Sequence, residues 1–109
     1  MKRVLYLVLK STDHAFHTLE ELRKEGYNAT VMSTESLKDA VEYFPEEHHF
    51  FNLRQLEQKE LVESVFCLFV VDEEKINHIK GIIRELTNNF KEVKGFMFSK
   101  TIEDYEGSI

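Results

Sequence analysis

Two segments of the chain are apolar on both of their faces. The first runs from Val4 to Leu9 and the second from Val65 to Val71, and neither contains a charged residue. Because successive side chains of a β-strand point to opposite faces of a sheet, both faces of both strands favour burial. A chain of 109 residues has few helices with which to cover two faces. The sequence therefore predicts that another copy of the chain covers one of them.

Capped helices follow both apolar strands. Four strands are predicted: Arg3–Leu9, Tyr27–Ser33, Ser64–Val71 and Val93–Ser99. After the first strand, residues 11–13 can cap a helix that Gly26 ends. After the third strand, acidic residues at 72–74 favour a helix N-terminus, and isoleucines then recur every three or four residues.

The order of these elements predicts the fold class. It reads β-α-β, then a long insertion at about 34–63, then β-α-β. This order indicates a single α+β domain over residues 1–109, with the ferredoxin-like βαββαβ antiparallel sheet. In that fold the first and third strands are central, and both helices cover one face. The other face is expected to meet a partner, because it would leave a large apolar patch on a monomer. Aspartate at Leu7 or Phe69 is expected to unfold or dissociate the chain, with the two positions testing different faces.

Charge and composition exclude several classes of function. The formal net charge of −6 argues against nucleic-acid binding, which needs a basic surface. The apolar run after Lys2 and Arg3 is too short for a membrane span, so we expect a cytoplasmic chain with no span. The single cysteine, Cys67, allows no disulfide within the chain and is expected to be a small buried hydrophobe.

A small-molecule site is predicted where the second strand enters the insertion. Thr34, Ser36 and Lys38 could hold an anion with hydroxyls, an ammonium group and helix-start N–H groups. Ser36 could instead act only as a helix cap. The identity of any cofactor is not readable from these residues.

Four histidines form a candidate metal site. His14 and His17 are three residues apart in the first helix, a spacing that places both imidazoles on one side. His48 and His49 in the insertion could complete a four-nitrogen cluster. All four could equally be solvated polar residues.

The sequence does not predict an enzyme. It contains neither a phosphate-binding Walker loop nor a dinucleotide fingerprint, and no nucleophile–base pair is legible.

The chain resembles the PII-like family, which includes nitrogen-regulatory PII proteins, CutA-like proteins and the cyclic-di-AMP receptors of Gram-positive bacteria. The resemblance lies in the Val4–Leu9 strand, the Leu19–Val31 helix-to-strand passage, the long insertion and the Val70–Ile76 passage into the second helix. It implies a homotrimer that senses a small molecule in clefts between subunits, near the base of the insertion.

The resemblance carries over to one site residue, Thr34. The cyclic-di-AMP receptors have a Thr-Gly-Gly stretch after the second strand, whereas this chain reads Ser33-Thr34-Glu35-Ser36-Leu37. The missing glycines and the acid at Glu35 argue against tight cyclic-dinucleotide binding.

A homotrimeric PII-like regulatory protein of signal transduction is therefore our leading interpretation. Two alternatives remain open. One is a CutA-like oligomer that binds divalent metal through its histidines. The other is an enzyme or binding protein of the dimeric α+β barrel type, in which two sheets pair to enclose a pocket.

Overall fold

The computed structural model describes residues 1–34 and 64–108. Its strands and helices, in chain order, are β1 Lys2–Lys10, α1 Asp13–Lys24, β2 Ala29–Thr34, β3 Ser64–Asp72, α2 Ile76–Leu86 and β4 Gly95–Ile102. A 3₁₀ turn, Glu73–Lys75, leads into α2. The predicted small α+β domain with a four-stranded antiparallel sheet and two helices is confirmed.

The four strands form one antiparallel sheet in the order β2-β3-β1-β4. The two strands that are apolar on both faces, β1 and β3, are therefore the inner ones. Leu5 of β1 lies opposite Phe69 of β3 on one side and Ser99 of β4 on the other. In this register, residues with odd numbers share one face of the sheet and residues with even numbers share the other.

The odd-numbered face packs against both helices and forms the core. Leu5, Leu7 and Leu9 are completely buried there, as is Cys67. Ile79 and Ile83 of α2 and Leu22 of α1 join the same cluster. Leu7 and Phe69 both lie on this face, so the expectation that they test different faces is wrong. The sequence shows which side chains of one strand share a face, but it does not show which residues of neighbouring strands pair.

Local sequence signals account for both ends of α1. The Thr12 hydroxyl oxygen accepts a hydrogen bond from the Ala15 N–H at 3.0 Å, which satisfies one of the free amides of the first turn. Arg23 and Lys24 lie in the last turn, where positive charge is favourable. Gly26 follows with a φ of 95°, a conformation that glycine adopts without strain.

Residues 87–94 connect α2 to β4 and begin with a turn. Asn88, Asn89 and Phe90 all have positive φ angles. The buried Thr87 stabilises this turn, because its hydroxyl donates to the Ile83 carbonyl at 2.7 Å and accepts from the Phe90 N–H at 3.1 Å. Val93 is buried in the turn itself, and β4 begins two residues later than the sequence predicted.

Several predictions lie outside the described residues. These are the course of the insertion over residues 35–63, and the side chains of Ser36, Lys38, His48 and His49. Within residues 1–34 and 64–108, neither helix has the length and apolar character needed to cross a membrane.

Candidate functional site

Thr34, the one described residue of the predicted ligand site, is the last residue of β2. It pairs with Ser64, the first residue of β3, and its hydroxyl donates to the Ser64 carbonyl at 3.4 Å. The insertion therefore leaves and re-enters the sheet at adjacent positions. A ligand at Thr34 would contact the end of the sheet nearest the insertion.

His14 and His17 are close together on the exposed side of α1. Their ring centroids are 6.4 Å apart, and Nε2 of His14 lies 3.6 Å from Oε2 of Glu92. Within residues 1–34 and 64–108, no group of three histidine, cysteine or acidic side chains has the geometry to hold a metal ion. The structure thus brings two of the four predicted histidines together, and the metal site remains a prediction.

Neither α1 nor α2, the two helices of residues 1–34 and 64–108, covers the even-numbered face of the sheet, which we call the open sheet face. Its apolar side chains come from all four strands: Val4, Tyr6, Val8, Met32, Phe66, Leu68, Val70, Phe96, Phe98 and Ile102. Met32, Phe96 and Phe98 are 52%, 54% and 47% exposed. These values are far higher than those of the core side chains on the other face.

Four aromatic side chains form a continuous row across the open sheet face. The Tyr6 ring is stacked on Phe98, with centroids 4.7 Å apart, and lies 5.8 Å from Phe66. Phe96 lies 6.3 Å from Phe98 with nearly parallel rings. Aromatic pairs at such distances attract one another beyond the effect of burial alone. The four rings therefore stabilise one another within a single chain.

The strand residues on the open sheet face that carry charge lie at its rim. Among the four described strands these are Lys2, Lys10 and Lys100 and one acid, Asp72. Nζ of Lys2 lies 2.7 Å from the Asp72 carboxylate, and this contact lowers the pKa of Asp72 and raises the pKa of Lys2. The other acids of residues 1–34 and 64–108 lie outside the sheet strands, in the helices, turns and terminal segment.

A concave surface, which we call the lower groove, lies at the end of the sheet opposite Thr34. It has a volume of about 940 Å³ and is bordered by the α1–β2 turn, the end of β3, the 3₁₀ turn and the start of α2. Ser108 also lines it. The segment after β4 therefore crosses from the β4 edge to the β2 edge of the sheet.

A hydrogen bond between distant residues shapes one wall of the lower groove. The Tyr27 hydroxyl lies 2.5 Å from Nδ1 of His78, although the two residues are 51 positions apart. Partial burial raises the pKa of Tyr27. Both tautomers of the His78 ring satisfy this contact, because a phenol hydroxyl can donate a hydrogen bond or accept one.

The sequence did not predict the lower groove. The sequence predicts Tyr27 only as the first residue of the second strand. One signal was available, since Tyr27 directly follows Gly26 and an aromatic residue with a polar tip often has a partner for its hydroxyl. The partner itself depends on how α2 packs beside β2, which no local pattern specifies.

Comparison with known proteins supports the fold only. No family model matches the chain, and no curated protein matches it. A solved structure of a functionally unknown protein from Pediococcus pentosaceus ATCC 25745 is similar, with a TM-score of 0.60, 12% identity and 99% of each chain covered. At this identity, the likeness indicates a shared fold and nothing about activity or ligand.

Proposed function

We propose that this chain is the subunit of a homotrimer that senses a small molecule without catalysis, in the manner of PII-like proteins. In this proposal the fold is the ferredoxin-like one with an insertion between β2 and β3, and the open sheet face is the assembly surface. The single observation that carries the proposal is the uncovered aromatic row on that face.

The area of the aromatic row supports assembly. A phenylalanine side chain presents roughly 200 Å², so the exposed fractions of Phe96 and Phe98 leave about 200 Å² of ring surface in contact with water. At about 25 cal/mol per Å², covering these two rings alone contributes about 5 kcal/mol for each copy. Met32 and the partly exposed neighbours of the rings enlarge the same patch.

The charge distribution also favours contact between copies at this face. Interface centres are poor in charged residues and rich in aromatic ones, and their rims are polar. The open sheet face has this arrangement, because Lys10 and Lys100 lie at its border and Asp72 is already paired with Lys2. Assembly through it does not bring the acidic surfaces of two copies together.

The ligand site of this proposal is at Thr34, Ser36 and Lys38. Thr34 lies at the end of the β2–β3 pair where the insertion is connected. A ligand bound there could alter the insertion, and this change would be the signal that the ligand is bound. Assembly would add side chains from a neighbouring copy to this end of the sheet.

One observation favours metal binding as a second candidate. The His14 and His17 rings are 6.4 Å apart on one side of α1. Zinc accepts imidazole ligands, and in this candidate His48 and His49, which lie outside the described residues, complete the set. A thermal-shift panel of nucleotides and divalent cations distinguishes the candidates, because a zinc shift that disappears in the double variant His14→Ala, His17→Ala would replace the PII-like proposal with the CutA-like one.

Assembly itself is tested with two substitutions that add the same charge. Phe98→Lys places an ammonium group in the aromatic row, whereas Asn77→Lys places one on an exposed position of α2. We expect Phe98→Lys to yield folded monomers in sedimentation velocity and Asn77→Lys to assemble as the unaltered chain does. If both variants keep the mass of the unaltered protein, assembly does not use the open sheet face.

A further inference from the structure

The outer edges of the sheet belong to β2 and β4, and the hydrogen bonds between the strands show which backbone groups these edges expose. The Glu73 N–H donates to the Met1 carbonyl at 3.0 Å, and the Lys10 N–H donates to the Lys94 carbonyl at 2.8 Å. Alternate residues of an antiparallel strand bond to the same neighbour. In the observed register, β1 therefore bonds to β3 through its odd-numbered residues and to β4 through its even-numbered ones.

The same alternation extends to both outer strands. The even-numbered residues of β2 and β4 bond inwards, so their odd-numbered residues direct N–H and C=O groups away from the sheet. The Ala29 N–H agrees with this pattern, because it donates to Oδ1 of Asn28 at 2.9 Å. Within residues 1–34 and 64–108, no backbone partner is present for the outward groups of Val31 and Ser33 in β2 or of Met97, Ser99 and Thr101 in β4.

The β2 edge lacks features that commonly protect a free strand edge. Such edges usually carry charged residues or proline, whereas Ala29–Thr34 contains neither. Val31 is 50% exposed although it lies on the odd-numbered face, and Met32 is 52% exposed on the open sheet face. Contact through the open sheet face alone would leave Val31 in water. A strand added beside β2 would cover both side chains.

We propose that β4 of a second copy adds to the β2 edge as an antiparallel strand. The two strands run in opposite directions at the two ends of the sheet, so a copy in the same orientation brings its β4 antiparallel to β2. Both edges expose the groups of odd-numbered residues. Hydrogen bonding therefore places odd-numbered residues opposite each other and makes the open sheet faces of the two copies continuous.

This edge contact rests on the proposed homotrimer and specifies how its subunits join. A surface that contacts the same surface of another copy joins two chains, whereas a ring of three needs contact between two different surfaces. The β2 and β4 edges are two such surfaces. Side chains favour one register, because Val31 opposite Met97 of the next copy places Met32 opposite Phe96 of the next copy, and apolar cross-strand pairs are stabilising.

Disulfide cross-linking of the full chain tests the edge contact. Val31→Cys combined with Met97→Cys places two Cα atoms about 5.5 Å apart across the contact, which is within disulfide range. Val31→Cys combined with Ser99→Cys tests the adjacent register of the same contact. After mild oxidation, we expect covalent species of two and three chains on a non-reducing gel from one of these pairs.

The single cysteine variants are the matched controls, and each should remain a single chain because the native Cys67 is completely buried. Covalent dimers from Val31→Cys alone would show that β2 pairs with β2 of another copy and would overturn the proposal. Absence of covalent species from both double variants would also overturn it.

Amide hydrogen exchange tests the same contact in the unaltered chain. The Thr30 and Met32 amides face β3 and are internal controls, whereas Val31 and Ser33 face outwards. In the assembled chain, Val31, Ser33 and Met97 should exchange within about tenfold of these controls. Much faster exchange at Val31 and Ser33, or protection in β2 without protection of Met97 in β4, would overturn the proposal.

Native mass spectrometry distinguishes failure of the edge contact from failure of the proposed function. An unaltered trimer with rapid exchange at Val31 and Met97, and with cysteine variants that stay single chains, would keep the homotrimer and overturn the edge contact. A monomeric unaltered chain would overturn the homotrimer and the edge contact together.

Discussion

The substitution Phe98→Ala tests the open sheet face when it is compared with Phe69→Ala. Both substitutions remove a phenylalanine ring. Phe69 belongs to the inner strand β3 and Phe98 to the edge strand β4. Phe69 is 2% exposed beneath the helices, whereas Phe98 is 47% exposed on the open sheet face. The two variants therefore differ in which face loses its ring, and only one face is proposed to contact another copy.

The expected magnitudes follow from these exposures. Replacing a buried phenylalanine by alanine costs about 3–5 kcal/mol, so Phe69→Ala should lose that amount at every protein concentration. The exposed part of Phe98 is about 95 Å² of a side chain of roughly 200 Å². Covering it contributes about 2.4 kcal/mol per copy, in addition to what the ring contributes within one chain. Phe98→Ala should lose this extra amount only where the chain is assembled.

Urea unfolding at several protein concentrations separates the stability that a ring contributes within one chain from the stability that it contributes on assembly. A stable assembly makes the unfolding midpoint rise with concentration, because association stabilises the folded subunit. For Phe69→Ala the midpoint should fall but keep this slope. For Phe98→Ala the slope should decrease, so that the loss relative to the unaltered chain grows with concentration. Parallel slopes for both variants would refute the assignment of assembly to the open sheet face.

Three further predictions concern single residues. Gly95→Ala should destabilise the fold by about 3 kcal/mol in urea unfolding, because the carbonyl oxygen of Val8 occupies the place of a Cβ and backbone cannot move aside as a side chain can. Asp72→Asn should lower the unfolding midpoint between pH 5 and 9. The difference should shrink as pH falls below the usual carboxyl pKa of about 3.9 towards the lowered pKa of Asp72, because protonation of the folded carboxylate removes its contact with Lys2. Burial raises the pKa of Cys67 to about 11, so iodoacetamide at pH 8 should label it only after urea unfolding.

The sequence predicted the inner strands because the physical signal was local. Val4–Leu9 and Val65–Val71 are apolar at every position, and only an inner strand of a sheet is buried on both faces and both edges. The capping threonine before α1 and the isoleucine spacing of α2 are equally local. Element ends were less well predicted, since β4 depends on Val93 packing inside the turn that precedes it.

Features that depend on register could not be predicted in this way. Alternation assigns Leu7 and Phe69 to faces within their own strands, but the pairing of Leu7 with Cys67 is what places both residues on the helix-covered face. The Tyr27–His78 hydrogen bond has the same origin. It depends on how α2 packs beside the start of β2, which is set by tertiary packing.

The mass of the unaltered chain in solution tests the central claim most directly. One copy has a mass of 12.9 kDa. Native mass spectrometry at micromolar concentration should detect a species of about 39 kDa, three times that mass, because an aromatic face of this size favours burial. A species near 26 kDa would favour the dimeric α+β barrel interpretation. A monomer that persists as the concentration is raised would contradict assembly through the open sheet face.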